Sequence, residues 1–373
     1  MHQIARREPL AFAMNSGRFT QIPMKSGLIP PASTNPKDFT IATLGSHSAL
    51  QILKGARDEG MRNVVICKKG ADRPYKSYGV ADEILYVDEW SAWDEKLEEE
   101  LRKRNAIIIP HGSFIAYMGH ERVKQMNVMY YGTKDILQWE SDRRMERVWM
   151  EKSGLLLPKV YEKPEDIDKA VIVKFHGAGG GFGYFIAKNA EQFYEVKNRK
   201  YPNESDFVLQ EYVVGVPLYI HYFYSPITKE LEIMGFDKRY ESNADSIGRI
   251  KAEDQLAANI HTSYTIVGNS PIVVRESLLP EMFAMGDRVL ETSREVTGTK
   301  GLFGPFCLEC IVTRKLQIFV FEISARIVAG TNPYVEGSPY TALKYDVPMS
   351  TGRRMARDIK QAIEQGKLSD ILG

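Results

Sequence analysis

Phe306-Cys307-Leu308-Glu309-Cys310-Ile311-Val312, the polar break Thr313-Arg314-Lys315-Leu316, and Gln317-Ile318-Phe319-Val320-Phe321-Glu322-Ile323-Ser324-Ala325-Arg326 form the stretch that decides the fold. Two runs rich in β-branched and aromatic residues flank the break, which predicts a β-hairpin. With the tip centred on Arg314 and Lys315, Val312 falls opposite Gln317 and Glu309 opposite Val320. Side chains alternate with period two, so Val320 and Glu322 share a face. Glu309 and Glu322 then project from that face as diagonal cross-strand neighbours, roughly 7–8 Å apart at the backbone. Two bare carboxylates so placed repel unless positive charge lies between them. A hard divalent cation completed by phosphate oxygens meets that need. A one-residue change of register would put the two on opposite faces.

The residues before the hairpin divide into two patterns. Phe39–Leu44, Asn63–Cys67, Glu83–Val87 and Ala106–Pro110 read as short strands. Between them lie an amphipathic helix, Ser46 to Glu59, with Leu50, Leu53 and Ala56 on one side and Gly60 as its stop, and a charged helix, Trp90 to Arg104. Strands alternating with helices imply a parallel sheet. From about Tyr131 the pattern changes. A helix at Asp135–Ser153 precedes Val171–Phe175, a glycine loop, and the strand Tyr184–Ala187. Strand-like runs follow at Asp206–Gly215, Leu218–Tyr224 and Leu231–Asp237, with helices at 276–296 and 350–365. The fold class expected is therefore α/β followed by α+β. Residues 1–37 read as an irregular extension, 38–130 as an α/β substrate-binding domain, and 131–373 as a second region with 141–212 as a subdomain.

Composition excludes several classes. The formal net charge of +1 gives no global field for nucleic acid or an anionic membrane. No stretch approaches the ~20 apolar residues that a membrane span needs. The three cysteines, Cys67, Cys307 and Cys310, are too few for a disulfide framework and fit a reducing cytoplasm. Cys307 and Cys310 make a C-x-x-C, but within a strand their thiols face opposite sides.

Three further motifs carry chemistry. The loop His176-Gly177-Ala178-Gly179-Gly180-Gly181-Phe182-Gly183 lets a backbone approach an anion closely. A strand follows it where a phosphate-binding P-loop or dinucleotide fingerprint would have a helix, so a hairpin covering the phosphates of ATP fits better. Lys174 stands on the strand leading in, and Gln210-Glu211-Tyr212-Val213 ends a strand able to present backbone groups to an adenine ring. Thr43-Leu44-Gly45-Ser46-His47 and Pro110-His111-Gly112-Ser113 both sit where a parallel strand gives way to a helix, the edge at which open α/β sheets collect ligands. They suggest a pocket for a phosphorylated small molecule with Ser46, His47, His111 and Ser113 as donors; helix capping is the alternative. Asp237-Lys238-Arg239-Tyr240-Glu241, at the end of a strand, reads equally as a solvated turn or as a site where Lys238 or Arg239 meets phosphate and Glu241 a ribose hydroxyl.

Together these pieces resemble the ATP-grasp ligases, and the strings Ile41–His47, Pro110–Tyr117, His221–Pro226, Lys238–Asn243, Arg275–Leu279, Gly304–Leu308 and Phe321–Arg326 are similar to the archaeal formate-dependent FAICAR synthetase family over roughly residues 38–373. The resemblance implies an ATP-grasp fold behind an N-terminal parallel α/β domain. It also implies an ATP-dependent C–N ligase of purine biosynthesis, acting on ATP, formate and aminoimidazole carboxamide ribonucleotide (AICAR) through formyl phosphate. By the same resemblance, His47, Ser113 and Asn269 bind AICAR. Lys174, Gly179, Gly180, Gly181, Gln210, Glu211, Tyr212, Val213 and Glu241 hold ATP. Glu309 and Glu322 hold Mg²⁺ or Mn²⁺, and Arg326, with Asn332 nearby, meets phosphate or the developing acyl phosphate. A cytoplasmic homo-oligomer is implied too. Basic residues usual in the family's glycine hairpin are replaced here by Ala178 and Phe182, and His176 stands in place of a proline. That departure keeps open a nucleotide-binding paralog without turnover, while the volume of the pocket, which sets the carboxylate or amine, leaves open an ATP-grasp ligase of different specificity.

Overall fold

The computed structural model describes residues 30–175, 184–241, 247–258 and 265–373. The glycine loop, and all of the N-terminal extension before residue 30, lie outside the described residues.

The first sheet is parallel. It contains β1 (Thr40–Leu44), β2 (Arg62–Lys68), β3 (Glu83–Val87), β4 (Ala106–Ile108) and β5 (Met129–Tyr130) in the spatial order β3-β2-β1-β4-β5. Chain order runs outward from β1 on one side and resumes at β4 on the other. The β1/β4 boundary is thus a switch point, where the loops leaving the two strands diverge and open a crevice. Helix α1 (Ala49–Asp58) is shorter than its sequence pattern suggests, and its buried face is Ile52, Leu53 and Ala56; Leu50 is exposed. The charged stretch is a 3₁₀ turn at Trp90–Ala92 followed by α2 (Glu95–Lys103).

The helix expected at 135–153 is two: α3 (Ile136–Ser141) and α4 (Arg143–Lys152). Asp142 interrupts it because its side chain accepts from the N–H groups of Arg144 and Met145, an N-cap that starts a new helix. A four-stranded antiparallel sheet follows, β6 (Val160–Tyr161), β7 (Val171–Phe175), β8 (Tyr184–Ala187) and β9 (Phe207–Glu211), ordered β6-β9-β7-β8. Helix α5 (Ala190–Lys200) packs on it through Phe193, which meets Phe185 and Phe207.

The third sheet is antiparallel and carries the hairpin. Its order is β12-β11-β10-β13-β14, with β10 (Val216–Ser225), β11 (Glu230–Glu241), β12 (Ile266–Ile272), β13 (Gly304–Val312) and β14 (Ile318–Ser324). One face is apolar: Leu218, Ile220, Phe236, Leu308, Cys310, Val320 and Ile323 pack with Trp149 of α4 and with Met282, Met285 and Val289 of α6 (Leu279–Thr297). The last helix, α7 (Thr351–Glu364), crosses α1, and the two backbones meet at glycines. A Cβ on Gly55 would fall 2.3 Å from the Arg353 nitrogen, and one on Gly352 would fall 2.2 Å from the Gln51 carbonyl. Among the described residues, no helix is long and apolar enough to cross a membrane.

Candidate active site

The hairpin register differs from expectation in two places, and the two one-residue shifts add, which keeps both carboxylates on one face. The turn is one residue longer on the β14 side. Leu316 takes a left-handed φ of 60°, the Thr313 N–H donates to the Gln317 carbonyl, and Val312 pairs with Ile318 rather than Gln317. That shift alone would send Glu309 and Glu322 to opposite faces. A β-bulge then leaves Phe321 unpaired, so that Cys310 faces Val320 and Glu309 faces Glu322 directly. The carboxylates are direct cross-strand partners, closer than the diagonal arrangement expected. Two helices brace the bulged strand from behind. Glu146 of α4 accepts the Ile323 N–H at 2.6 Å and Glu140 of α3 accepts the Ala325 N–H at 3.1 Å.

Glu309 is not bare. It is buried, and Arg239 of β11 donates to both its oxygens at 2.9 and 2.5 Å, with the Ser324 hydroxyl at 3.3 Å. The Arg239 guanidinium lies 3.7 Å from the centre of the Tyr219 ring. The positive charge beside Glu309 is thus supplied by the protein itself. Glu322 keeps surface toward the cleft and forms no hydrogen bond among the described residues. The charge of Glu309, and then burial among the surrounding protein atoms, raise its pKa. Burial pushes Glu146 up to about 9, helped by the charge of Glu322, so it is held as the neutral acid. Glu140 is raised by burial and pairs with Arg326 at 3.0 Å.

The polar face of this sheet is continuous. Period-two alternation across the paired strands puts Asn269 (β12), Asp237 and Arg239 (β11), Tyr219 and His221 (β10), Glu309 (β13) and Glu322 (β14) on the side opposite the apolar core. Asn269 pairs with Arg239, and its side chain donates to Asp237 at 2.7 Å. Glu241 ends β11 after a second irregularity.

The first sheet contributes the opposing wall. His47 leaves β1 with a left-handed φ of 52° and stacks on His111 at 5.4 Å, with Gly112 beneath it; a Cβ there would lie 2.3 Å from His47 Nε2. Burial, then the fields of His111, Arg326 and Arg239, lower His47 to about 3, so it is neutral at pH 7. His111 is locked by the Leu44 carbonyl at 3.0 Å on Nε2 and the Ser113 N–H at 3.2 Å on Nδ1. Nε2 therefore carries its proton. Ser113 stands at a helix start without capping it, and Ser46 bonds the Tyr117 hydroxyl at 2.9 Å. The capping alternative fails for both. Asn332 links the walls: it accepts from Gln51 and donates to the His47 carbonyl at 3.2 Å.

Among the remaining candidates, Lys174 bonds Gln210 at 3.2 Å, and burial lowers its pKa. Glu211 pairs with Lys169 at 3.1 Å and is bound to structure rather than free. Tyr212 and Val213 lie in the short link from β9 to β10, where Gly215 lets the chain pass so close to β13 that a Cβ would meet the Val312 carbonyl at 2.5 Å. Gly179, Gly180 and Gly181 lie outside the described residues. Cys307 and Cys310 are free, buried and on opposite faces. Sequence reading missed Glu140, Glu146, Asp237 and His221. Alternation along β10 and β11 carried a signal for the last two; nothing local marked the helix glutamates.

Comparison with known proteins bears on this arrangement. Residues 187–373 match the model of a domain of unknown function (DUF1297), and residues 41–161 that of a protein of unknown function (DUF1246). The 5-formaminoimidazole-4-carboxamide-1-(β)-D-ribofuranosyl 5'-monophosphate synthetase of Pyrococcus horikoshii is 53% identical over 338 residues, 89% of this chain and 99% of that protein. The IMP biosynthesis protein PurP from Thermococcus kodakaraensis superposes with a TM-score of 0.71 at 28% identity, over 89% of this chain and all of that one. The ADP complex of N5-carboxyaminoimidazole ribonucleotide synthetase aligns over 90% of this chain and 79% of its own, with a TM-score of 0.61 at 14% identity. That likeness shows the ATP-grasp fold alone. With a parallel sheet at the front, an antiparallel sheet floored by paired glutamates and relatives above half identity over nearly their whole length, the chain belongs to the 5-formaminoimidazole-4-carboxamide ribonucleotide synthetase family of ATP-grasp ligases.

Proposed function

We propose that this protein formylates AICAR with formate at the expense of ATP, releasing ADP and phosphate. The observation that carries the reading is the pairing of Glu309 and Glu322 on a polar sheet face, joined through Asn332 to the His47 wall. A formate oxygen attacks the γ-phosphorus of ATP, giving formyl phosphate and ADP. The 5-amino nitrogen of AICAR then attacks the formyl carbon, phosphate departs with the C–O bonding pair, and the nitrogen loses its proton. Formate is a poor acylating agent because hydroxide leaves badly; phosphorylation supplies a good leaving group. No protein nucleophile is needed, so the side chains act by positioning and charge.

His47, Ser113 and Asn269 would hold the ribonucleotide. Lys174, the glycine loop, residues 210–213 and Glu241 would hold ATP, with 141–212 as the covering subdomain of a 131–373 catalytic region and 38–130 as the substrate domain. Arg326, kept in place by Glu140, would face the transferring phosphoryl group. Glu309 and Glu322 fit a hard divalent cation, Mg²⁺ or Mn²⁺: their donors are all oxygen, and Glu322 faces Glu309 directly with no hydrogen bond of its own among the described residues. Such an ion would offset the negative charge that builds at the transferring phosphoryl group. We assign the protein to the cytoplasm and to a homo-oligomer on its family resemblance.

The test is ADP release from purified protein with Mg-ATP, AICAR and formate, each omitted in turn. Turnover that requires all three supports the reading. Nucleotide binding without AICAR- and formate-dependent ADP release would refute it.

A further inference from the structure

Asp237 is fully buried on the polar face and uses both carboxylate oxygens: Oδ1 meets His221 Nε2 at 2.7 Å, and Oδ2 accepts from Asn269 Nδ2 at 2.7 Å. A carboxylate only accepts, so the Asn269 amide has one permitted orientation: nitrogen to Asp237, oxygen away from it. That oxygen takes no hydrogen bond among the described residues and is not enclosed. His221 is buried as well, and its Nδ1 has no partner among the described residues. The pair serves no evident packing purpose that an apolar pair would not serve better, since burying polar groups costs free energy unless their bonds are used. Gly330 closes the arrangement. A Cβ there would fall 2.2 Å from Asp237 Oδ1 and 2.7 Å from His221 Cε1. The same 3₁₀ segment, Ala329–Tyr334, carries Asn332, which holds the His47 carbonyl.

We propose that Asp237, backed by His221, is a positioning residue that fixes the Asn269 side chain with its carbonyl oxygen toward the ribonucleotide, where it accepts an N–H of the aminoimidazole carboxamide. This rests on the reading of the cleft as the ribonucleotide site. An unlocked asparagine presents either end of its amide; a locked one selects ligands bearing a donor at that point. The lock is therefore a specificity device for an amine- or amide-bearing base.

The test is a charge swap read by calorimetry of AICAR and of ATP. Asp237→Asn removes the obligatory acceptor and lets the Asn269 amide turn over. Asn269→Asp sets two carboxylates against each other. Each single variant should weaken AICAR binding about tenfold or more, the worth of one hydrogen bond and its unsatisfied partner, with ATP binding unchanged. In Asp237→Asn/Asn269→Asp the amide introduced at 237 donates to the carboxylate introduced at 269, which again offers an acceptor to the cleft. The double variant should therefore recover AICAR affinity. Single variants that bind AICAR like wild type overturn the inference, and so does a folded double variant that fails to recover. The double variant decides the matter even if Asp237→Asn alone does not fold. Wild-type protein that does not bind AICAR would instead refute the underlying reading of the site.

Discussion

Removing Arg239 tests the electrostatic account of the paired carboxylates. Arg239 donates two hydrogen bonds to Glu309, and both side chains are mostly buried, at 17% and 4% exposed. In Arg239→Met the thioether preserves much of the stem's volume over Tyr219 but leaves Glu309 buried, unpaired and directly opposite Glu322. Breaking a buried pair by deleting one partner costs about 3–5 kcal/mol. Losing the cation–π contact adds about 0.5–2 kcal/mol. For a chain of this length unfolding as one unit, the broken pair alone corresponds to a fall in Tm of about 4–6 °C. Arg239→Met/Glu309→Gln removes the stranded charge and should regain most of that loss. Scanning calorimetry without divalent ions reads all three proteins. Adding Mg²⁺ should raise the Tm of Arg239→Met more than that of wild type, because Arg239 no longer competes with the ion for Glu309. A single variant within 1 °C of wild type, at a precision the calorimeter reaches, would refute the claim that Arg239 neutralises this site.

Three other outcomes follow from the geometry. Glu322→Gln removes the charge facing Glu309, so it should abolish Mg²⁺-dependent ADP release while leaving the metal-free Tm equal to or above that of wild type; a lowered Tm would contradict the repulsion. Glu146, raised from 4.5 to about 9 in the fold, contributes stability that is fully present below about pH 4.5 and is lost as pH rises toward 9. Glu146→Gln, which still accepts the Ile323 N–H, should show a flatter stability profile across that window, measured by urea unfolding at stepped pH. Gly112→Ala forces a methyl to within 2.3 Å of His47 Nε2. It should lower kcat/KM for AICAR by about 10²-fold, the usual consequence of an ångström's misplacement, with the KM for ATP unchanged in steady-state kinetics.

The parallel sheet, the strand–loop–strand around the glycines and the carboxylate hairpin were legible because each rests on local periodicity and punctuation. Register was not. The left-handed turn at Leu316 and the bulge at Phe321 are each a one-residue effect that no residue type in the flanking runs marks. Strand β12 escaped notice because Gly268 and Pro271 weaken its pattern; it survives as an edge strand, bonded on one side only to β11. The partner of Glu309 was invisible for another reason. Arg239 lies 70 residues away, and only the pairing β11-β10-β13 brings the two together. Glu140 and Glu146 look in sequence like solvated helix charges. Only the packing of α3 and α4 against β14 turns them into acceptors for its backbone.

The contact of α1 with α7 bears on how the chain is made. One flank of the first sheet, built from Phe39, Ile41, Ile107 and Ile109 with Ile52 and Ala56 of α1, is covered by Met355, Ala356, Ile359 and Ile363. Those four residues follow every strand of that sheet in the chain. A nascent chain can therefore form the parallel sheet early but must carry that flank uncovered until this helix has been made, and surfaces of this kind invite aggregation. Glycines at 55 and 352 let the late helix seat flush against the early one. The docking of this helix joins parts of the chain far apart in sequence, and a side chain at either glycine would hold the two helices apart.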